Sequence, residues 1–194
     1  MTSRRLRIVS VNDVYSLENL PRLRSLVRRS SEDAPGTALV VALAGDFLSP
    51  SLLSSIDAGR GMVECLAAVG ITHVILGNHE DDLPADELRA RLSELAPVCL
   101  ATNVQMEEWG LSLPRHARVD VGGGITVGLV GVVVADAAVY RRPPFGGARL
   151  TPANEAAIEE ARSLVDSGCA AVVPLTHQWI EDDRALAAAA LDPP

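Results

Sequence analysis

Lysine is missing from this 194-residue sequence, so all 17 basic side chains are arginines, set against 25 acidic ones for a net charge of −8. A basic surface that binds nucleic acid by releasing phosphate counterions is not expected from that balance. The arginines that crowd between Arg4 and Arg29 read as a solvated strand end and the outer face of a helix. Cysteine is equally scarce. Cys65, Cys99 and Cys169 are odd in number, far apart and set among Leu, Val and Ala, which excludes a disulfide framework or a Cys-x-x-Cys clamp and leaves buried thiols. No apolar run approaches the ~20 residues of a membrane span. The longest, Ile125–Ala138, is interrupted by Gly128 and Gly131. No apolar signal region precedes the first strand pattern, so a cytoplasmic location, away from membranes, is expected.

What is present is ordinary globular composition, 48% hydrophobic and 22% charged, in a length suited to one domain over residues 1–194. Apolar strand patterns recur at Leu6–Val11, Ala38–Ala44, Thr72–Leu76, Val98–Thr102, Arg118–Val121, Ile125–Val134 and Ala170–Leu175. Helical patterns separate most of them: Pro21–Arg29, Ser51–Val69 ending at Gly70, Asp86–Leu95, and Pro152–Ser167 with Thr151-Pro152 as an opening cap pair and Gly168 as a stop. Such alternation predicts an α/β fold with a mostly parallel sheet and right-handed crossovers. Gly122-Gly123-Gly124 between two strand patterns predicts a hairpin.

Four polar clusters directly follow predicted strands: Asn12-Asp13-Val14-Tyr15, Gly45-Asp46, Gly77-Asn78-His79-Glu80 and Thr176-His177. The carboxyl ends of parallel strands share one edge, so residues far apart in sequence can converge there. Singly, each has an ordinary reading as a turn, a cap or a surface histidine. His73 and His116 have no motif around them, Trp109 and Trp179 read as packing, and Asn103 either lines the pocket or caps a strand.

In this order the clusters resemble the calcineurin-like metallophosphoesterase superfamily, whose blocks run Asp-x-His, Gly-Asp, Gly-Asn-His-Asp/Glu, a lone His, then Gly-His-x-His. Four of the five occur between residues 8 and 177. Ser49-Pro50-Ser51, Leu100-Ala101-Thr102-Asn103 and Asp182-Asp183 look most like the 5'-nucleotidase branch. The resemblance implies a layered α/β/β/α sandwich and two divalent metal ions of the Mn, Mg, Zn or Fe kind. Asp46 would bridge them, Asp13 would bind the first, and Asn78 and His177 the second. It also implies that His79 serves catalysis beside the leaving-group oxygen, with Glu80 holding its ring. Hydrolysis of a phosphate ester calls for a nucleophile at neutral pH and cations to hold developing charge, which paired metals supply.

The sequence departs from that pattern twice. Tyr15 stands where Asp-x-His places an imidazole; a ferric ion would favour a tyrosinate there, and otherwise the first site is weak. No Gly-His-x-His follows His177, so the domain is expected to lack its C-terminal part, each metal to be one ligand short, and an exposed sheet surface to invite association. Two functions stay open. One is a metal-dependent phosphoesterase acting on nucleotides or other small phosphate monoesters through a dinuclear site. The other is a truncated or degenerate non-catalytic module of the same fold with weak metal binding.

Overall fold

The computed structural model of the protein describes residues 4–191; the first three residues and the Asp192-Pro193-Pro194 end lie outside the described residues. Four strands, β1 (Leu6–Val11), β2 (Ala38–Ala44), β3 (His73–Ile75) and β4 (Cys99–Leu100), lie side by side in chain order, all parallel. Parallel neighbours need crossovers. These are α1 (Leu20–Glu32), then α2 (Ser54–Asp57) with α3 (Arg60–Val69), then a 3₁₀ turn (Asn78–Asp82) with α4 (Ala85–Leu95). The chain continues through β5 (Val104–Gln105), β6 (His116–Asp120), β7 (Thr126–Val133), a helical turn α5 (Pro144–Gly147), β8 (Arg149–Leu150), α6 (Ala153–Asp166), β9 (Ala171–His177) and α7 (Ile180–Leu191). The second sheet runs β6-β7-β9, antiparallel across β6–β7 and parallel across β7–β9, while β5 and β8 form a small antiparallel pair.

Alternation of side chains along each strand decides the layers. On β2, Leu43 joins Met62, Leu66, Leu88 and Leu92 in a core beneath α1, α3 and α4. Its neighbours Val40, Ala42 and Ala44 point the other way and meet Ile75, Leu100, Leu129 and Leu175 between the two sheets. The opposite face of β7, through Val130 and Val132, packs on Ala153, Ala157, Leu164 and Leu186 of α6 and α7. The order is helix, sheet, sheet, helix, the α/β/β/α sandwich expected. At one point the sheets approach so closely that only glycine fits: a Cβ on Gly131 would stand 2.5 Å from Ile75 Cγ2 and 2.8 Å from Leu100 Cβ.

Two local expectations are corrected. The single helix over Ser51–Val69 is broken at Ala58 and Gly59, both left-handed at φ 56° and 80°. The cause is Asp57, whose carboxylate accepts the N–H groups of Gly59 (2.9 Å) and Gly61 (2.7 Å) and so offers the backbone an alternative to the helical ladder. Thr151 does not cap α6: its N–H is given to Asn103 O at 2.9 Å, and Pro152 holds the cap position with no side-chain hydrogen bond. The glycine hairpin forms as expected, with Asp120 Oδ1 accepting from Gly122 N at 2.7 Å. The three cysteines are free, and among the described residues no helix is long and apolar enough to cross a membrane.

The contact at Gly131 yields a direct test. Gly131→Ala should lower stability by about 1–3 kcal/mol through overpacking, read from the midpoint of urea unfolding. An unchanged midpoint would mean that the sheets have slack to separate there.

Candidate metal centre

Two residues past the ends of β1 and β2 stand aspartates, and both are in the left-handed region, Asp13 at φ 54° and Asp46 at φ 56°. L-residues rarely adopt that conformation, asparagine and aspartate more readily than most. The parallel pairing carries on past the strand ends, with Asp13 N–H donating to Gly45 O (3.1 Å) and Val14 N–H to Asp46 O (2.9 Å). The two carboxylates are thereby delivered to the same edge.

Asp46 is the hub, only 2% exposed. Its Oδ1 accepts the backbone N–H of His79 at 3.0 Å, and its Oδ2 lies 3.2 Å from His177 Nε2 and 3.1 Å from the Tyr15 hydroxyl. The approach requires glycine at position 77, because a Cβ there would overlap the Asp46 carboxylate. The Tyr15 hydroxyl also donates to Asp13 Oδ1 at 2.6 Å, and Asn12 Nδ2 donates to Asp13 Oδ2. Asn78 sits between Gly77 and His79, with its amide nitrogen on Val139 O at 3.4 Å. Asp13, Asp46, Asn78, His79 and His177 are therefore gathered at one end of the sandwich.

The geometry fixes the state of His177. Its Nδ1 lies 2.8 Å from Ala44 O, and a carbonyl only accepts, so Nδ1 carries a proton. A neutral ring then turns the Nε2 lone pair toward the Asp46 carboxylate, an arrangement that calls for a positive species in between. With no cation, burial opposes a charged ring, yet the hydrogen bond and charge of Asp46 hold its pKa up, to about 9. Reciprocally, burial works to raise Asp46, but the hydrogen bond and charge of His177, with the His79 N–H, outweigh it and hold Asp46 below its ordinary value. Burial pushes the Tyr15 phenol up, assisted by both carboxylates, so it remains protonated.

Glu80 is placed differently from expectation. It does not hold the His79 ring. It is fully buried, and its two oxygens accept four backbone N–H groups: Asp46 (2.9 Å) and Gly77 (2.6 Å) on one, Phe47 (2.8 Å) and Leu48 (3.0 Å) on the other. Burial and the neighbouring Asp46 charge push its pKa up, against the pull of those amides. The partner of His79 is Asp82, whose Oδ2 is 2.8 Å from Nδ1 while its Oδ1 is 3.1 Å from Arg141 Nε. The reason is the 3₁₀ geometry of Asn78–Asp82, in which residues three apart eclipse and adjacent ones diverge. The side chain of His79 is 36% exposed, and its Nε2 has no partner among the described residues.

Residues set aside on sequence grounds have structural roles here. His116 is a strand residue, in β6, and its Nδ1 bonds Glu160 Oε1 at 2.6 Å, beside the Arg115–Glu160 pair at 2.8 Å. Asn103 is buried, and its amide clasps Val133 and Thr151. His73 bonds Thr72, Trp109 packs at the edge of the core, and Trp179 is exposed.

No protein-family model matches the sequence, and no curated protein matches it. Solved structures do. The NAD nucleotidase NadN of Haemophilus influenzae superposes with a TM-score of 0.82 at 19% identity, over 94% of this chain and 36% of that one. A 5'-nucleotidase precursor from Thermus thermophilus gives 0.77 at 22% identity, over 94% and 39%. The calcineurin-like phosphoesterase YfkN of Bacillus subtilis gives 0.70 at 15%, over 90% and 62%. This is the metallophosphoesterase fold. The chain spans 36% and 39% of the length of these two nucleotidases.

Against what the metallophosphoesterase fold implies, the donor set divides. Among the described residues, no three or more His, Cys, Asp and Glu side chains are arranged to hold a metal ion. On the His177 side two side chains meet that suit a divalent cation, Asp46 and a His177 ring whose tautomer is set by a backbone carbonyl, as is usual for ligating histidines; Asn78, next to the His79 N–H that Asp46 accepts, has an amide oxygen with no partner among the described residues. On the Asp13 side they do not, because a protonated phenol stands between the carboxylates.

Two measurements check this description. In chelator-treated protein the His177–Asp46 pair should impose a stability window. The raised His177 contributes fully below its ordinary 6.5 and loses that contribution as pH climbs through about 9; the lowered Asp46 contributes above its ordinary 3.8 and loses it as pH falls. Melting temperature should plateau between those two ordinary values and decline above them by the equivalent of about 3 kcal/mol at most, with His177→Gln flattening the alkaline decline. Glu80→Gln should cost at least about 1–3 kcal/mol, because an amide nitrogen would face backbone donors. A glutamine variant as stable as its parent in urea would remove the cradle from the account.

Proposed function

We propose that this chain is the metal- and phosphate-handling part of a hydrolase of small phosphate monoesters, nucleotides among them. The observation that carries the reading is the convergence of Asp46 with a tautomer-fixed His177 and with the Asn78–Asp82 turn at one end of the sandwich. The names of two structural neighbours, a NAD nucleotidase and a 5'-nucleotidase, support the nucleotide part.

In this reading Asp46, Asn78 and His177 would hold a divalent cation, which when bound would supply positive charge to a phosphoryl oxygen and acidify water. The chain's own residues do the rest. Glu80 fixes the Asp46 loop against the Gly77 turn. Asp82 accepts from His79 Nδ1 and so fixes the ring's orientation, leaving Nε2 as the atom that would give a proton to the departing ester oxygen. Arg141, 78% exposed and paired with Asp82, keeps a guanidinium beside that dyad. One observation favours a second reading, a non-catalytic module of the same fold with weak cation binding: the Tyr15 hydroxyl stands where a cation bridging Asp13 and Asp46 would go.

Assays of p-nitrophenyl phosphate and nucleotides with Mn, Mg, Zn and Fe separate the two readings. Turnover with any of these metals is expected, and its absence with all of them would favour the non-catalytic module. Where turnover is seen, His79→Asn should lower kcat by roughly 10²–10⁴ with metal content unchanged, and Asp82→Asn by less. Loss of metal from His79→Asn at an unchanged rate per bound metal would make His79 a ligand instead.

A further inference from the structure

We propose that the Tyr15 hydroxyl acts as a bolt between Asp13 and Asp46, so that the chain takes one divalent cation, on the Asp46–Asn78–His177 side, rather than two. This rests on the metal-binding half of the reading above and is independent of its catalytic half.

Occupied space and committed hydrogen bonds both stand against a cation shared by the two aspartates. A cation shared by both aspartates would need one oxygen of each within about 2.0–2.6 Å. The atom now between them is the phenol oxygen, 2.6 Å from Asp13 Oδ1 and 3.1 Å from Asp46 Oδ2. The hydroxyl gives its one proton to Asp13 at the shorter distance, Asn12 Nδ2 takes the far oxygen of Asp13, and Asp46 Oδ2 faces His177, so the Asp13 carboxylate is occupied without an ion. To enter, a cation must break these bonds and displace the ring.

The ring is not free to yield by moving its backbone. Asp13 and Val14, just before it, are pinned to the second strand through Gly45 O and Asp46 O, and Val14 packs against the helical core. Only rotation of the tyrosine side chain would open the space.

The other seat is in the opposite condition. His177 is committed by Nδ1 to Ala44 O, which directs Nε2 at Asp46 Oδ2 across 3.2 Å with nothing but a proton or a cation to reconcile the two. Asn78 adds a neutral amide oxygen without a partner among the described residues. One seat is prepared, and the other is plugged by a side chain of the same protein.

The test counts ions. Mn(II) is titrated into the full chain by equilibrium dialysis, and the bound ion is examined by electron paramagnetic resonance. The wild type should bind one Mn(II) per chain and show the spectrum of an isolated ion. Tyr15→Phe should gain a second, exchange-coupled Mn(II), and Tyr15→His should hold that second ion more tightly, while His177→Ala should weaken the single wild-type ion by about 10-fold or more. Circular dichroism confirms that each variant is folded, and the histidine variant decides the matter if the phenylalanine variant is not. Two coupled ions in the wild type would overturn the proposal, as would no ion in the wild type or one ion in both folded Tyr15 variants. So would a tyrosinate-to-Fe(III) absorption band that vanishes in Tyr15→Phe, since Tyr15 would then be a ligand. If the loaded wild type hydrolyses no phosphate ester while the counts run as stated, the catalytic reading fails and the bolt stands.

Discussion

The candidate site is organised around a carboxylate that never meets solvent. Glu80 gathers four backbone N–H groups from two separate stretches of chain, the Asp46–Leu48 loop after β2 and Gly77 after β3. Loops at strand ends carry amide donors that the sheet cannot satisfy, and leaving them bare inside the protein would cost on the order of 1–3 kcal/mol each. One side chain resolves all four and, in doing so, fixes the distance between the two loops. Asp46 can be held in a left-handed conformation and pressed against the Gly77 backbone because Glu80 ties both loops from behind. The hydrogen bond from His79 N–H to Asp46, and through it the position of the 3₁₀ turn, depend on that tie.

How much of this was legible follows from how local each signal is. The strands β2 and β3, and the polar clusters at their ends, could be read because parallel strands buried on both faces leave continuous apolar runs, which here stop at Gly45 and Gly77. The layer order followed from the family resemblance and from helices of adequate length. The role of Glu80 was not legible. Sequence shows a glutamate beside a histidine, but only the 3₁₀ path shows that neighbours diverge and that Asp82, three residues on, reaches the ring. Nothing in Ser51–Val69 showed that Asp57 would interrupt its own helix, since the competition depends on where Gly59 and Gly61 present their N–H groups. The two-residue strands β5 and β8 are too short to carry a period at all.

The acidic balance of the sequence takes on a local meaning at the site. Asp13, Asp46, Glu80, Asp81 and Asp82 lie within two short loops and a turn, and each has been given a partner. Amides hold Glu80, an imidazole serves Asp46 and another Asp82, a phenol serves Asp13, and Arg142 lies 3.6 Å from Asp81 while bonding the carbonyls of Asp81 and Leu83. The segment after β7 supplies both arginines, and its Val139 carbonyl receives Asn78. It acts as a strap across the turn, and the charge it brings keeps so many carboxylates close together in a folded chain.

The contact between His177 and Ala44 joins the last strand of one sheet to the second strand of the other. Asp46 and His177 consequently belong to different layers of the sandwich, and a ligand gripped by both would rivet those layers together. Any sliding of one sheet over the other would pull the grip apart, and any occupant would resist that sliding. Binding there would therefore be linked to the cohesion of the two layers: an occupant would stabilise their packing, and a loosened packing would weaken its hold.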